Sequence, residues 1–379
     1  MFGEKSYKRF SKELVNCKIN QINIKMKIAI VTMISDNYGA CLQCYALQKI
    51  LQKNGHSVTV INRGWYPLHK LTLKERMKNI YRDIVFHNPF KKFRSEHLNM
   101  SNPIYEESDL YYLKNKFDVV ITGSDQVWNY GCIEIMKLYF YLDWVDTNTT
   151  KRYSYAASFG IDSFPVTQEQ KKKVSALLAT FSGISVREKS GQYIMDEIFN
   201  LKSKKHLDPT LLLNRDDYNK IISEANLKKL YDKNYICKFF LDSSKNKEAF
   251  ITDIAKKIGL PVVNNYPLNN ERKKIINNSL LSVQEWLRNI RDAKLVVTDS
   301  FHGTVFCLIF NVPFISINNS KRGSTRFSSL LSLFNQEHRL IDSLEINDFE
   351  KILQKPNCLN TDDFLKEKEL SYSYIYSIK

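Results

Sequence analysis

The sequence predicts an α/β protein of two domains, and three observations carry that prediction. From residue 26 the order strand, glycine turn, helix, strand appears in KIAIVTMI, NYGACLQCYALQKILQKNG (Asn37 to Gly55) and HSVTVIN, which is the βαβ unit of a doubly wound sheet. A second series of apolar strands alternating with helices begins after residue 210. A length of 379 residues suits two cores of ordinary size better than one.

Residues 1–25 are polar and unpatterned and read as an N-terminal extension, leaving 26–203 as the first domain. Its first helix places Leu42, Tyr45, Ala46, Ile50 and Leu51 at helical spacing and stops at Gly55. Between Tyr66 and Leu98 the chain turns basic and amphipathic, with Leu73, Met77, Ile80 and Ile84 on one face among Lys74, Arg76, Lys78 and Arg82. Such a stretch either covers the domain with its charges in water or rests on an anionic membrane. FDVVITGSDQVWN reads as a strand over 119–122 running into a polar loop, and RYSYAASFG (Arg152 to Gly160) as the next strand. A helix near 168–179 leads to GISVREKSG (Gly183 to Gly191), a strand breaking into a polar turn.

The boundary is expected within LKSKKHLDPT (Leu201 to Thr210), where periodicity lapses and Asp208-Pro209 disfavours helix. The second domain, 204–350, then offers the strand YICKFFL, a helix over 247–258, the strand LPVVNN and a helix over 283–291. The strand KLVVTDS, a helix over 302–310, the strand PFISI and a helix over 325–334 follow, and 351–379 forms a C-terminal segment with a helix near 362–371.

Composition narrows the function classes. With 43% hydrophobic and 12% aromatic residues the chain is globular in character. The most apolar run, Val305 to Ile317, is interrupted by Asn311 and Pro313, too short for a membrane span, and MFGEKSYKRF lacks a signal-peptide core. A cytoplasmic location is expected, with peripheral contact at the inner face of the plasma membrane left open by the basic stretch. Seven scattered cysteines give no disulfide framework, and the Cys41, Cys44 pair has no second half to complete a metal site and reads as a coincidence within a helix. A net charge of +16 attracts polyanions, but the basic clusters are dispersed, which argues against specific nucleic-acid binding.

In open parallel sheets ligands bind beyond the carboxyl ends of strands, so the residues just after each strand are the candidates. Ser35 to Gly39 includes Asn37 and Gly39 at a helix start that offers free N–H groups to an anion, without the glycine pattern of a dinucleotide site or a phosphate loop. Thr122 to Asn129 groups Asp125, Trp128 and Asn129, suited to a sugar ring; alternatively Asp125 caps a helix and Trp128 is core. Arg187 ends a strand, where it either grips a carboxylate or phosphate or pairs with a structural acid. Asp299-Ser300-Phe301-His302-Gly303 lies between a strand and an apolar helix, placing His302 to exchange protons at a helix N-terminus.

Taken in order, NYGACLQCYAL, VVITGSDQVWN, YSYAASFG, ISVREKSG, LDPTLLL and VVTDSFHGTVFCLIFNVPFISI resemble the polysaccharide pyruvyltransferase family over about residues 26–334. The resemblance implies two Rossmann-like domains facing across a cleft, as in B-type glycosyltransferases, with phosphoenolpyruvate as pyruvyl donor and a glycan or lipid-linked oligosaccharide as acceptor. It implies His302 as the acid and Arg187, Ser300, Gly303 and Arg326 on the donor side. Asn37, Gly39, Asp125 and Asn129 fall on the acceptor side. Ser300 departs from the arginine that many members carry two residues before the histidine, and Arg326, Lys321 or Arg322 are the cations available to replace it. Neither a metal nor a resident cofactor is expected, phosphoenolpyruvate being a co-substrate. The sequence leaves two rival readings open: a nucleotide-sugar transferase of the same architecture, and a non-catalytic polysaccharide-assembly protein.

Overall fold

Two parallel sheets organise the chain in the computed structural model, which describes residues 25–64, 77, 88–227, 234–265, 281–319, 325–346 and 348–379. The N-terminal extension, most of the basic stretch after Tyr66, and Lys321 and Arg322 lie outside these residues.

The first sheet contains β1 (Lys27–Val31), β2 (Ser57–Val60), β3 (Val119–Gly123) and β4 (Lys151–Tyr155) in the order β2-β1-β3-β4, every pair parallel. Its strands read as continuous apolar runs because both faces are covered: Ile28 and Ile30 enter one core, while Ala29 and Val31 enter the other. Beyond β4, β5 (Ser185–Val186) and β6 (Lys204–Lys205) pair in parallel, and the bridges Tyr153 to Gly183 and Ala157 to Val186 join them to β4. The expected boundary after residue 203 therefore falls inside a strand pair of the first domain. The basic run reads as a linker because a two-residue strand is too short to show a period.

The second sheet contains β7 (Ile236–Phe239), β8 (Val262–Asn264), β9 (Leu295–Thr298), β10 (Phe314–Ile317) and β11 (Leu340–Ile341), all parallel, in the order β11-β10-β9-β7-β8. In each sheet the winding reverses beside a central strand, between β1 and β3 and between β7 and β9. The loops leaving those strands are where ligands collect in such sheets.

Five helices position these loops. The first, α1 (Tyr38–Lys53), starts on Asn37, whose Oδ1 accepts from the Gly39 and Ala40 N–H groups at 2.8 and 3.3 Å. Next, α2 (Pro89–His97) packs its Phe90 and Phe93 against the first domain. A capping box starts α3 (Val283–Arg291), where Ser282 and Glu285 exchange hydrogen bonds. Every residue of α4 (Phe301–Phe310) except His302 is buried, since the helix is enclosed between its own sheet and the first domain. Last, α5 (Asp362–Tyr376) returns to the first domain, where the Tyr374 hydroxyl donates to Ser154 O at 2.9 Å and Ser371 Oγ accepts from the Leu207 N–H at 3.0 Å. It runs five residues past its expected end at 371 because Tyr374 and Ile375 are themselves buried.

Tyr38 fixes the two domains to each other. It stacks on Trp286 with centroids 5.0 Å apart, meets Phe239 at 6.0 Å, and its hydroxyl donates to Leu281 O at 3.0 Å. Among the described residues no helix is long and apolar enough to cross a membrane. Tyr38→Ala should destabilise the protein by about 3–5 kcal/mol, the usual cost of removing a large buried ring. Urea denaturation at fixed m-value measures this, and a loss under about 1 kcal/mol would show that the domains do not depend on the contact.

Candidate active site

Six residues from both sheets converge where α1 and α4 begin. His302, in the first turn of α4, has its Nε2 3.5 Å from Asp208 Oδ2, with side chains 12% and 0% exposed. That distance allows charge attraction and is long for a hydrogen bond. Asp208 Oδ2 also accepts from Arg187 Nη1 at 3.0 Å and Ser124 Oγ at 3.3 Å, while Oδ1 accepts from the Thr210 N–H at 3.0 Å and its hydroxyl at 2.7 Å. Glu188 completes the cluster, with Oε2 3.5 Å from Arg187 Nε and Oε1 accepting from Ser158 Oγ at 2.5 Å.

The electrostatics follow from this geometry. Burial pushes the Asp208 carboxyl up, but His302, Arg187 and Thr210 together outweigh it and hold the group well below the ordinary carboxylate range. Burial likewise works against the charge on Arg187, and Glu188, Asp208 and Asp125 overcome it, so its pKa is raised. Arg187 is thus a buried, permanent cation. Its Nη2 has no hydrogen-bond partner among the described residues, and its guanidinium lies 4.8 Å from the Phe301 ring. Arg326 approaches the same ring at 5.8 Å, and with the Gln126 amide oriented by its neighbours, Oε1 accepts from Nη1 and Nη2 at 2.7 and 3.0 Å.

Gly39 sets the other wall. A Cβ at that position would lie 2.1 Å from His302 Nδ1, so only glycine lets the start of α1 reach the ring. The two helix N-termini thereby meet at His302, each adding partial positive charge.

The expected site residues divide into two groups. His302, Arg187, Gly39 and Arg326 come together, and Asp125 is near enough for its charge to act on Arg187. The side chains of Asn37, Asn129 and Ser300 are used as helix caps, Asn129 Oδ1 accepting from the Gly131 N–H at 3.0 Å and Ser300 Oγ from the Gly303 N–H at 3.3 Å. Gly303 is a packing glycine, where a Cβ would lie 2.5 Å from Thr298 Oγ1. Trp128 is core, its indole N–H donating to Phe140 O at 3.3 Å and its ring stacked on Tyr141, and offers no face to a sugar. Cys41 and Cys44 are buried in α1 as free thiols, with Cys41 pushed up to about 11 by burial. Among the described residues no three His, Cys, Asp or Glu side chains are grouped to hold a metal.

Sequence reasoning missed Asp208, Glu188, Ser124, Phe301 and Gln126. Asp208 stands in LDPT, where Asp-Pro marks a helix break and nothing local signals a buried carboxylate. Behind Asp208, His206 is held against Ser185 Oγ at 2.7 Å, and burial, reinforced by Lys204 and Lys205, lowers its pKa to about 4.

Comparisons with known proteins bear on the family and the fold. The model of the family described as "Polysaccharide pyruvyl transferase" matches residues 37–321. No curated protein matches the chain. Among solved structures, a Methanocaldococcus jannaschii UDP-GlcNAc 2-epimerase in complex with UDP-GlcNAc and UDP is similar with a TM-score of 0.52 at 14% identity, covering 93% of this chain and all of that one (100%). A Neisseria meningitidis UDP-GlcNAc 2-epimerase bound to UDP-GlcNAc gives 0.49 at 12% identity, with 93% and 95% covered. At such identity the first of these bears on fold alone: two Rossmann-like domains, as in B-type glycosyltransferases.

Two outcomes test the site. Because His206 stays neutral when folded and takes up a proton near 6.5 when unfolded, stability should be full above that pH and fall towards pH 4. The expected loss between pH 7 and pH 5 is about 2 kcal/mol by urea denaturation, and His206→Asn should flatten that slope. Gly39→Ala should displace His302 while leaving the fold intact, which a crystal structure of the variant would show; an unmoved ring would contradict the contact.

Proposed function

The chain belongs to the polysaccharide pyruvyl transferase family, and on that premise we propose that it transfers a pyruvyl group from phosphoenolpyruvate to a sugar of a surface polysaccharide or its lipid-linked precursor, forming a 1-carboxyethylidene ketal. One observation supports this reading above the others: His302 stands where two helix N-termini meet, beside a buried Arg187 whose Nη2 has no hydrogen-bond partner among the described residues. That combination suits an anion that must receive a proton.

In the proposed reaction protonated His302 gives its proton to the donor's methylene carbon, leaving the adjoining carbon cationic. A sugar hydroxyl adds there and a second hydroxyl displaces phosphate. One hydroxyl proton restores the acid and the other leaves with the phosphate, so protons balance. Arg187 Nη2 and Arg326 are the groups proposed to hold the donor's carboxylate and phosphate, with Arg326 taking the role of the arginine absent at position 300. Asp125 is proposed to orient the acceptor; Asn37, Asn129, Ser300 and Gly303 act through backbone geometry instead. Phosphoenolpyruvate enters as co-substrate and no metal or resident cofactor is invoked.

The test is phosphate release from phosphoenolpyruvate by the purified protein with and without a glycan acceptor. Acceptor-dependent release is expected, and His302→Gln should lower it by at least about 100-fold, within the usual range for a general acid. Activity confined to nucleotide-sugar donors would overturn the proposal.

A further inference from the structure

The geometry points to Asp208 as the residue that positions His302, and to a catalytic dyad divided between the two domains. Asp208 follows β6, on the sheet of the first domain, and is tied there to Ser124 and Arg187; His302 belongs to the second. The carboxylate is itself immobile, because Thr210 holds one oxygen twice while Arg187 and Ser124 hold the other. The imidazole is oriented from both sides, with Nε2 towards Asp208 and Nδ1 towards the space that a Cβ at Gly39 would fill. Among the described residues, charged groups around this cluster include Glu188 and Asp125, which act on Arg187, and Arg326, which shares the Phe301 ring with it.

A histidine held in this way keeps one nitrogen on its carboxylate and presents the other to the reacting atoms. The pairing also makes the acid conditional on domain contact. His302 belongs to the second domain and Asp208 and Arg187 to the first, so donor grip and proton delivery are completed only where the two domains meet. The inference rests on His302 being the acid of the proposed transfer, and one arm of its test does not.

The test compares wild type, Asp208→Asn, Asp208→Glu, His302→Gln and the double variants, using full-length protein with thermal unfolding to verify folding. Asp208→Asn should lower kcat for phosphate release by at least about 100-fold, and Asp208→Glu by less. In the His302→Gln background either Asp208 change should cost under about 3-fold more, since the two residues act as a unit. Equal losses in both backgrounds would overturn the inference and make Asp208 merely structural. The second arm is ¹⁵N NMR of histidine-labelled protein, with His302 assigned by its absence in His302→Gln. Its ring resonances should move in Asp208→Asn, and superimposable resonances would also overturn the inference. If Asp208→Asn does not fold, Asp208→Glu carries both arms. If wild type does not turn over phosphoenolpyruvate, the proposed function falls, and the NMR comparison decides the positioning role by itself.

Discussion

The carboxylate of Asp208 is the constraint on which the site depends. A fully buried anion is tolerable only with charge and hydrogen bonds on all its lone pairs. Here those partners come from three elements of the first domain and from the first turn of a helix in the second. Satisfying the anion therefore sets Arg187, Ser124 and Thr210 in place and leaves a position on its remaining side that suits an imidazole.

Packing at the domain contact supports the same geometry. Tyr38 and Gly39 are adjacent in the first turn of α1 and do opposite things: the ring fills a cavity between Trp286 and Phe239, and the missing side chain admits His302. The helix can approach that closely because Asn37 satisfies its first N–H groups internally. The result is two helix N-termini and two arginines around one histidine, a positive environment tempered by Asp208, Glu188 and Asp125.

Much of the fold was legible from residues 26 to 379 because buried parallel strands and amphipathic helices leave local apolar patterns, as in KIAIVTMI and the 283–291 helix. The short β5 and β6 pair left none, so the first domain extends past its expected end. Within the site, His302 and Arg187 were legible from their places after strands. Asp208 was not, because its role comes from partners distant in sequence and its own segment reads as a helix break. Asn37, Asn129 and Ser300 show the converse: small polar residues at strand ends resemble ligand contacts, and capping uses the same side chains.

In the proposed transfer a proton passes from the protein to the donor's methylene carbon as the pyruvyl group joins a sugar. The most direct measurement is mass spectrometry and NMR of the glycan after incubation with ¹³C-labelled phosphoenolpyruvate in deuterated water. The expected product is a labelled three-carbon ketal whose methyl group carries one deuterium, absent with His302→Gln. A glycan without the labelled unit, or a labelled unit whose carbon took no deuterium from solvent, would contradict it.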